Sequence, residues 1–202
     1  MVRYFMCGEY GSDNGRPHYH ALLFNLGFQD RVYLRTSPSG EKLYRSPTLE
    51  MLWPFGFSAI GDVTFGSAAY VARYAVKKQG GVVARDHYLD KRTGEMLAPE
   101  YVAMSRGSSV RGTGGLARGW FSKFKSDVFP HDIRVIKGVD TLPCKFYDKL
   151  YEVADPEGFR LVKLRRALRG SINRADNTEE RLKVKELVKT RQVALLSTSK
   201  EI

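Results

Sequence analysis

The sequence reads as an α+β protein: an antiparallel sheet with flanking helices, followed by a basic helical C-terminal tail. Three observations point there. Two β-favouring runs, 2–10 and 17–24, are separated only by the turn formers Gly11-Ser-Asp-Asn-Gly-Arg-Pro17. A stretch with helical spacing, 67–78, starts at Ser67 as its N-cap and is closed by Gly80-Gly81. From Pro143 onward the chain turns helical and dense in arginine and lysine. On this reading residues 1–145 form one domain and 146–202 a basic helical extension.

The first two runs make an antiparallel hairpin, because a short polar loop leaves no other pairing within reach. Side chains alternate along a strand, so His18 and His20 share one face and Tyr19 takes the other. Pairing across the loop sets Glu9 beside His18 and diagonal to His20. A His-x-His pair alone is a weak sign, since hydrogen-bonded histidines are common in cores. With Glu9 added, one carboxylate and two imidazoles suit a divalent cation such as Mg²⁺ or Mn²⁺, with positions left for phosphate oxygens and water.

Residues 27–66 say less. Gly40-Glu41 marks a turn between two short segments, 48–53 reads as a helical turn stopped by Pro54, and 56–64 as a further strand. Trp53, Phe55 and Phe57 are read mainly as core, with base stacking as the alternative. In the helix 67–78, Ala68, Val71, Ala72, Ala75 and Val76 are assigned to one face. Tyr70, Tyr74, Lys77 and Lys78 are assigned to the opposite face, flanked by Arg73. The two tyrosines are one turn apart, and their separation from the valines points to chemistry. A phenol attacks a phosphodiester when a metal withdraws charge from the phosphate and a cation, here Lys77 or Lys78, steadies the phenolate.

Further along, 80–99 reads as a hairpin turning at 91–95. The glycine-rich stretch 105–115 carries Arg106 and Arg111, and is either a phosphate-binding loop or a plain surface loop. No Gly-Lys-Ser/Thr follows it, so it is not a P-loop. Residues 119–125 mix Trp120, Phe121 and Phe124 with Lys123 and Lys125, as single-strand binding surfaces do. A short β-like piece, 133–137, precedes helices at 145–153, 159–169 and 178–196. Arg160, Lys163, Arg165, Arg166 and Arg169 form a basic patch there. It suits either a DNA-binding appendage or a solvated helical pair.

Composition narrows the class. A formal charge of +11 over 202 residues favours a polyanionic partner, with 43% hydrophobic residues enough for a real core. Two distant cysteines, Cys7 and Cys144, suggest neither a disulfide framework nor a zinc knuckle, and a reducing compartment follows. No apolar run is long enough to cross a membrane as a helix.

Together these residues resemble a known family. Glu9 before Arg16-Pro-His18-Tyr-His20-Ala-Leu-Leu-Phe24, and Tyr70-Val-Ala-Arg73-Tyr74-Ala-Val-Lys77-Lys78, look like the HUH endonucleases. The likeness is nearest to the two-tyrosine replication initiators of microviruses, particularly the gokushovirus group. Gly8-Glu9-Tyr10-Gly11 and Ala103-Met-Ser-Arg106 add to it, and it covers roughly the first 150 residues. The resemblance implies a palm-like, split ferredoxin-like sheet and a metal-dependent nickase that cuts and rejoins single-stranded DNA at a viral origin. One tyrosine would form a 5′-phosphotyrosine link and free a 3′-hydroxyl for rolling-circle synthesis; the other would cut the regenerated origin. Arg16, Arg73, Arg106, Arg111, Lys123 and Lys125 would meet DNA. The host would supply helicase and polymerase, and the protein would act in the bacterial cytoplasm. Relatives carry an upstream strand with a Thr-rich first motif, so an N-terminally shortened chain is expected here. Two readings of other classes stand beside this one: a non-catalytic basic nucleic-acid-binding protein, and a 2-His-1-carboxylate iron oxygenase or cupin. The latter expects a further ligand soon after His20, and 21–25 offers none. Relaxases and transposases of the same superfamily are the within-class alternatives.

Overall fold

The computed structural model describes residues 1–11, 15–74, 78–107, 114–129 and 131–198, the last three of these by backbone alone. They form two compact units that divide between Leu116 and Ala117. The sequence reading drew its boundary at 145. Ala117, in the left-handed region at φ 65°, is the N-cap of the first helix of the second unit. The fold is α+β, and every paired strand is antiparallel.

In the first unit, β1 (Arg3–Tyr10) is the middle strand of a three-stranded sheet, between β2 (Pro17–Phe24) and β5 (Tyr101–Met104). The hairpin register places Glu9 opposite His18 and Cys7 opposite His20, as the turn chemistry predicts. Alternation then gives the sheet two different faces. Phe5, Cys7, Leu22 and Phe24 belong to the face that carries the unit's small core. Met6, Gly8, Tyr19, Ala21 and Leu23 belong to the other. Gly8 is required there, since a Cβ would lie 2.6 Å from the Tyr101 ring opposite it.

The helix α2 (Phe65–Arg73) packs on the core face. It starts two residues earlier than the sequence suggests, because Thr64 is the N-cap. Thr64 Oγ1 accepts from the Ser67 amide while the Ser67 hydroxyl accepts from the Thr64 amide, a full capping box. The larger correction concerns its faces. Val71 and Tyr74 are both buried, and with Ala68 and Tyr70 they pack against Cys7 and Leu22. The tyrosines are therefore on the packing side with Val71, not opposite it. At about 100° per residue, positions 70, 71 and 74 fall within about 100° of arc, so they make one stripe. Residues 75–77, Lys77 among them, lie outside the described set.

Strands β3 (Val32–Thr36) and β4 (Lys42–Arg45) form a second sheet, followed by α1 (Pro47–Leu52). Asp30 locks the start of α1: its carboxylate accepts from Ser46 Oγ and from the Thr48 amide, which hold its pKa down at about 2. The strand expected over 56–64 is reduced to a single bridge, Ile60 to Tyr44. Gly56 at φ 136° breaks the extended run, and its end is taken by the Thr64 cap. The hairpin expected over 80–99 is likewise only a bridge, Leu89 to Met96. Its turn is real, with the Asp90 carboxylate accepting from the Arg92 amide. In place of the first strand are a 3₁₀ turn, Gly81–Val83, and α3 (Ala84–Tyr88).

The second unit holds α4 (Arg118–Val128), the hairpin β6 (Arg134–Ile136) and β7 (Val139–Thr141), and three further helices. These are α5 (Lys145–Ala154), α6 (Pro156–Ile172) and α7 (Glu179–Thr198). The β6–β7 turn puts Lys137 and Gly138 at positive φ, as a tight two-residue loop demands. Phe121, Val128, Phe129, Phe159 and Val162 make its core, with the Phe129 and Tyr151 rings stacked 4.0 Å apart. Asp132 is buried beside them. Burial pushes its pKa up, but hydrogen bonds and charge from Arg166 and Arg169 outweigh that and hold it below 3.8. Arg166 also grips Asp148, so the guanidinium is the centre of an ion network. Two of the five residues of the basic patch are thus structural.

Candidate active site

The core face of the β2-β1-β5 sheet collects the predicted chemistry. Glu9 is buried at 4% exposure, and its Oε1 lies 3.2 Å from His20 Nε2. A carboxylate facing an imidazole nitrogen is a donor pair that also suits a divalent cation. His20 is next stacked on the Tyr74 ring, centroids 4.3 Å apart and 10° from parallel. It meets the Tyr70 ring edge-on at 5.8 Å. Tyr74 donates its hydroxyl proton to the Tyr70 hydroxyl, so the two phenol oxygens occupy adjacent points. One imidazole thus links the carboxylate to both tyrosines.

This arrangement follows from two local rules. The hairpin register brings Glu9 within reach of His20, two residues along from its direct partner His18. The i, i+4 spacing in α2 stacks the tyrosines, with Tyr74 at the C-cap. The Arg73 guanidinium lies 5.5 Å from the Tyr70 ring centroid, a cation–π contact.

His18 is placed differently. It is opposite Glu9 in register, but its ring lies against Gly11, where a Cβ would be 2.5 Å from His18 Cε1. Among the described residues, no group of three or more His, Cys, Asp or Glu side chains has the arrangement to hold a metal ion. The structure brings together Glu9, His20, Tyr70 and Tyr74. His18 stands at the edge of that group.

Lys78 is exposed and lines a cavity of about 260 Å³ with Tyr74, Glu100, Tyr101 and Val102. Glu100 is a buried acid that sequence reasoning missed. It accepts a hydrogen bond from the Tyr88 hydroxyl, which in turn accepts from the Gln79 amide. Burial first, then the Glu100 contact, push the Tyr88 phenol above its ordinary pKa. Nothing marks Glu100 in the sequence, because it sits in an irregular segment that joins α3 to β5. Arg16 borders β2 on the outer side, and Arg106 is exposed just past β5. Lys123 and Lys125 are exposed on α4, in the other unit. Arg111 and Lys77 lie outside the described residues.

With this geometry in place, the sequence comparisons become informative. Residues 1–79 match the family model of the replication-associated protein ORF2. The chain is related to phage replication proteins. It is 31% identical over 155 residues to the replication-associated protein ORF2 of Spiroplasma virus 4, a match covering 75% of this chain and 43% of that protein. It is 30% identical over 155 residues to the replication-associated protein VP4 of Bdellovibrio phage phiMH2K, covering 76% and 44%. A shorter match, 35% over 81 residues, joins it to the replication-associated protein ORF4 of Chlamydia phage 1, 38% and 20%. The chain therefore spans less than half the length of these relatives. No solved structure matches it. The family match takes in Glu9, His18, His20, Tyr70 and Tyr74 together. Among the described residues no helix is long and apolar enough to cross a membrane.

Proposed function

We propose that this protein is a replication initiator that nicks and rejoins single-stranded DNA at a phage origin, by tyrosine attack on a phosphodiester. The observation that carries the reading is the contact between the Tyr70 and Tyr74 hydroxyls, both seated on His20 beside the buried Glu9. Two nucleophiles that converge on one point serve one scissile phosphate in turn, as a cut followed by a second cut requires.

In the step itself, a phenol oxygen forms a bond to phosphorus and the bond from phosphorus to the 3′-oxygen breaks. The phenolic proton is lost, and the departing oxygen gains one to become a free 3′-hydroxyl. The 5′-phosphate remains on the tyrosine. Glu9, His18 and His20 are the residues that would hold a divalent cation, Mg²⁺ or Mn²⁺; when bound, it supplies Lewis-acid withdrawal of charge from the phosphate. His20 fixes the rings of both tyrosines by stacking. Lys78 places a positive charge by Tyr74, where it favours the ionised phenol, and Arg73 does the same over Tyr70. Host helicase and polymerase would act on the opened origin, in the bacterial cytoplasm.

The test is adduct formation. The protein is incubated with labelled single-stranded oligonucleotides tiled across the phage genome, with Mg²⁺ or Mn²⁺ and separately with EDTA, and run on a denaturing gel. The expected result is one oligonucleotide that shifts with protein, only when metal is present, and not with the Tyr70→Phe, Tyr74→Phe variant. Salt-sensitive binding without any adduct would favour a non-catalytic nucleic-acid-binding protein.

A further inference from the structure

The outer face of the same sheet holds a second candidate surface. A groove of about 700 Å³ lies over Met6, Ala21 and Leu23, on the side away from the tyrosines. Its wall is a run of aromatic rings. Tyr19 meets Trp53 edge-to-face at 5.0 Å, and Trp53 meets Phe55 at 5.2 Å. Phe57 follows, past the kink at Gly56. Phe55 is 79% exposed and Phe57 fully exposed, so neither ring serves the core that the sequence reading assigned them. Arg16 and Arg31 line the same groove; Arg31 lies 3.6 Å from Asp62. Its mouth reaches His18. Because β2 is an edge strand among the described residues, a chain in the groove can pass round it to the Glu9–His20 face.

We propose that this groove takes unpaired bases of single-stranded DNA, stacking them on Phe55, Phe57 and Trp53 while Arg16 and Arg31 meet the phosphates. The inference rests on the nicking reading for the identity of the strand, and adds to it a site that grips DNA next to the cut. Exposed flat rings interleaved with guanidiniums, on a chain of charge +11, fit bases and phosphates better than they fit an apolar partner. Tyr19 and His18, adjacent in β2 and facing opposite ways, would join the two surfaces.

Trp53 is one of two tryptophans, so Trp120→Phe leaves it as the only one. In that background, with EDTA present so that no nick forms, the protein is titrated with a thymidine oligonucleotide and with an abasic oligonucleotide of equal length. The expected results are quenching of Trp53 by the thymidine strand alone, and an affinity loss of about tenfold or more on Phe55→Ala, Phe57→Ala. The Phe55→Tyr, Phe57→Tyr protein should keep the affinity. Equal binding of the abasic strand, or unchanged affinity in the alanine protein, would overturn the proposal. So would an alanine protein that changes its sedimentation mass and keeps its DNA affinity, which would assign the groove to a second copy of the chain. Since this binding is read without metal, it can fail while adduct formation succeeds, and the reverse.

Discussion

Glu9 in the first unit and Asp132 in the second are both almost fully buried acids, yet they keep different company. Asp132 meets the guanidiniums of Arg166 and Arg169. Glu9 meets the imidazole of His20, beside two phenols. A carboxylate between two permanent cations is charge-balanced and fixed, and suits a structural tie. A carboxylate against a titratable imidazole can exchange a proton for a metal, and suits a site. Burial alone does not separate the two roles; the partner does.

That contrast can be broken most forcefully at Asp132. Asp132→Ala leaves two guanidiniums facing an apolar core, and should destabilise the second unit by about 3–5 kcal/mol, read by urea denaturation. The same tie sets a pH dependence. The folded pKa of Asp132 lies below its unfolded value of 3.8. Its contribution to stability is therefore present above 3.8, and is lost as the pH falls from there through the lower folded value. Acid titration of the Asp132→Asn protein should show a shallower loss across that window. An unchanged acid limb would assign the tie no energetic role.

Glu9→Gln is the counterpart. It keeps the shape and removes the charge, so the cost should appear in chemistry more than in stability. The expected outcome is a fall of about hundredfold in adduct formation with Mg²⁺, on the scale of a lost metal ligand. Unfolding midpoints should move much less than for Asp132→Ala. A Glu9→Gln protein that nicks at the parental rate would remove the metal assignment from this carboxylate.

How much of this was legible beforehand depends on range. The hairpin register was readable, because the loop from Gly11 to Pro17 is short and polar and alternation does the rest. The helices of the tail were readable for the same local reasons. The face of α2 was misread: the lysines near its end suggested a polar side, and the tyrosines were counted with them. Only the sheet's demand for something to cover Cys7 and Leu22 decides that Val71 and Tyr74 turn inward. β5 escaped as a strand since four residues, Tyr101–Met104, carry too little pattern, and their partner is β1, nearly the whole unit away. Glu100, and the aromatic groove that draws on β2 and the loop after α1, are likewise long-range products.

A smaller effect sharpens the comparison on the sheet itself. Gly8 separates Glu9 from Cys7 along β1, with its open side under the Tyr101 ring. Gly8→Ala should cost about 1 kcal/mol by crowding that ring, since the ring is partly exposed and able to shift. Tyr101→Ala in the same chain should recover most of it, giving a measurable coupling in a double-mutant cycle. Additive costs would mean that the close approach of Tyr101 is not what keeps position 8 a glycine.

The mildest change, Thr64→Ala, asks whether the tyrosines are held by their helix or by their packing. It removes the side-chain acceptor for the Ser67 amide, and should cost about 1 kcal/mol in stability. Tyr70 and Tyr74 lie one and two turns beyond Ser67, pinned by His20, Cys7 and Leu22. If that packing positions them, the first turn of α2 can fray while adduct formation stays within about twofold of the parent, because fraying from a lost cap is confined to the helix end. If adduct formation instead falls in step with stability, the nucleophiles depend on the intact helix, and the His20 stack is a consequence of their placement and not its cause.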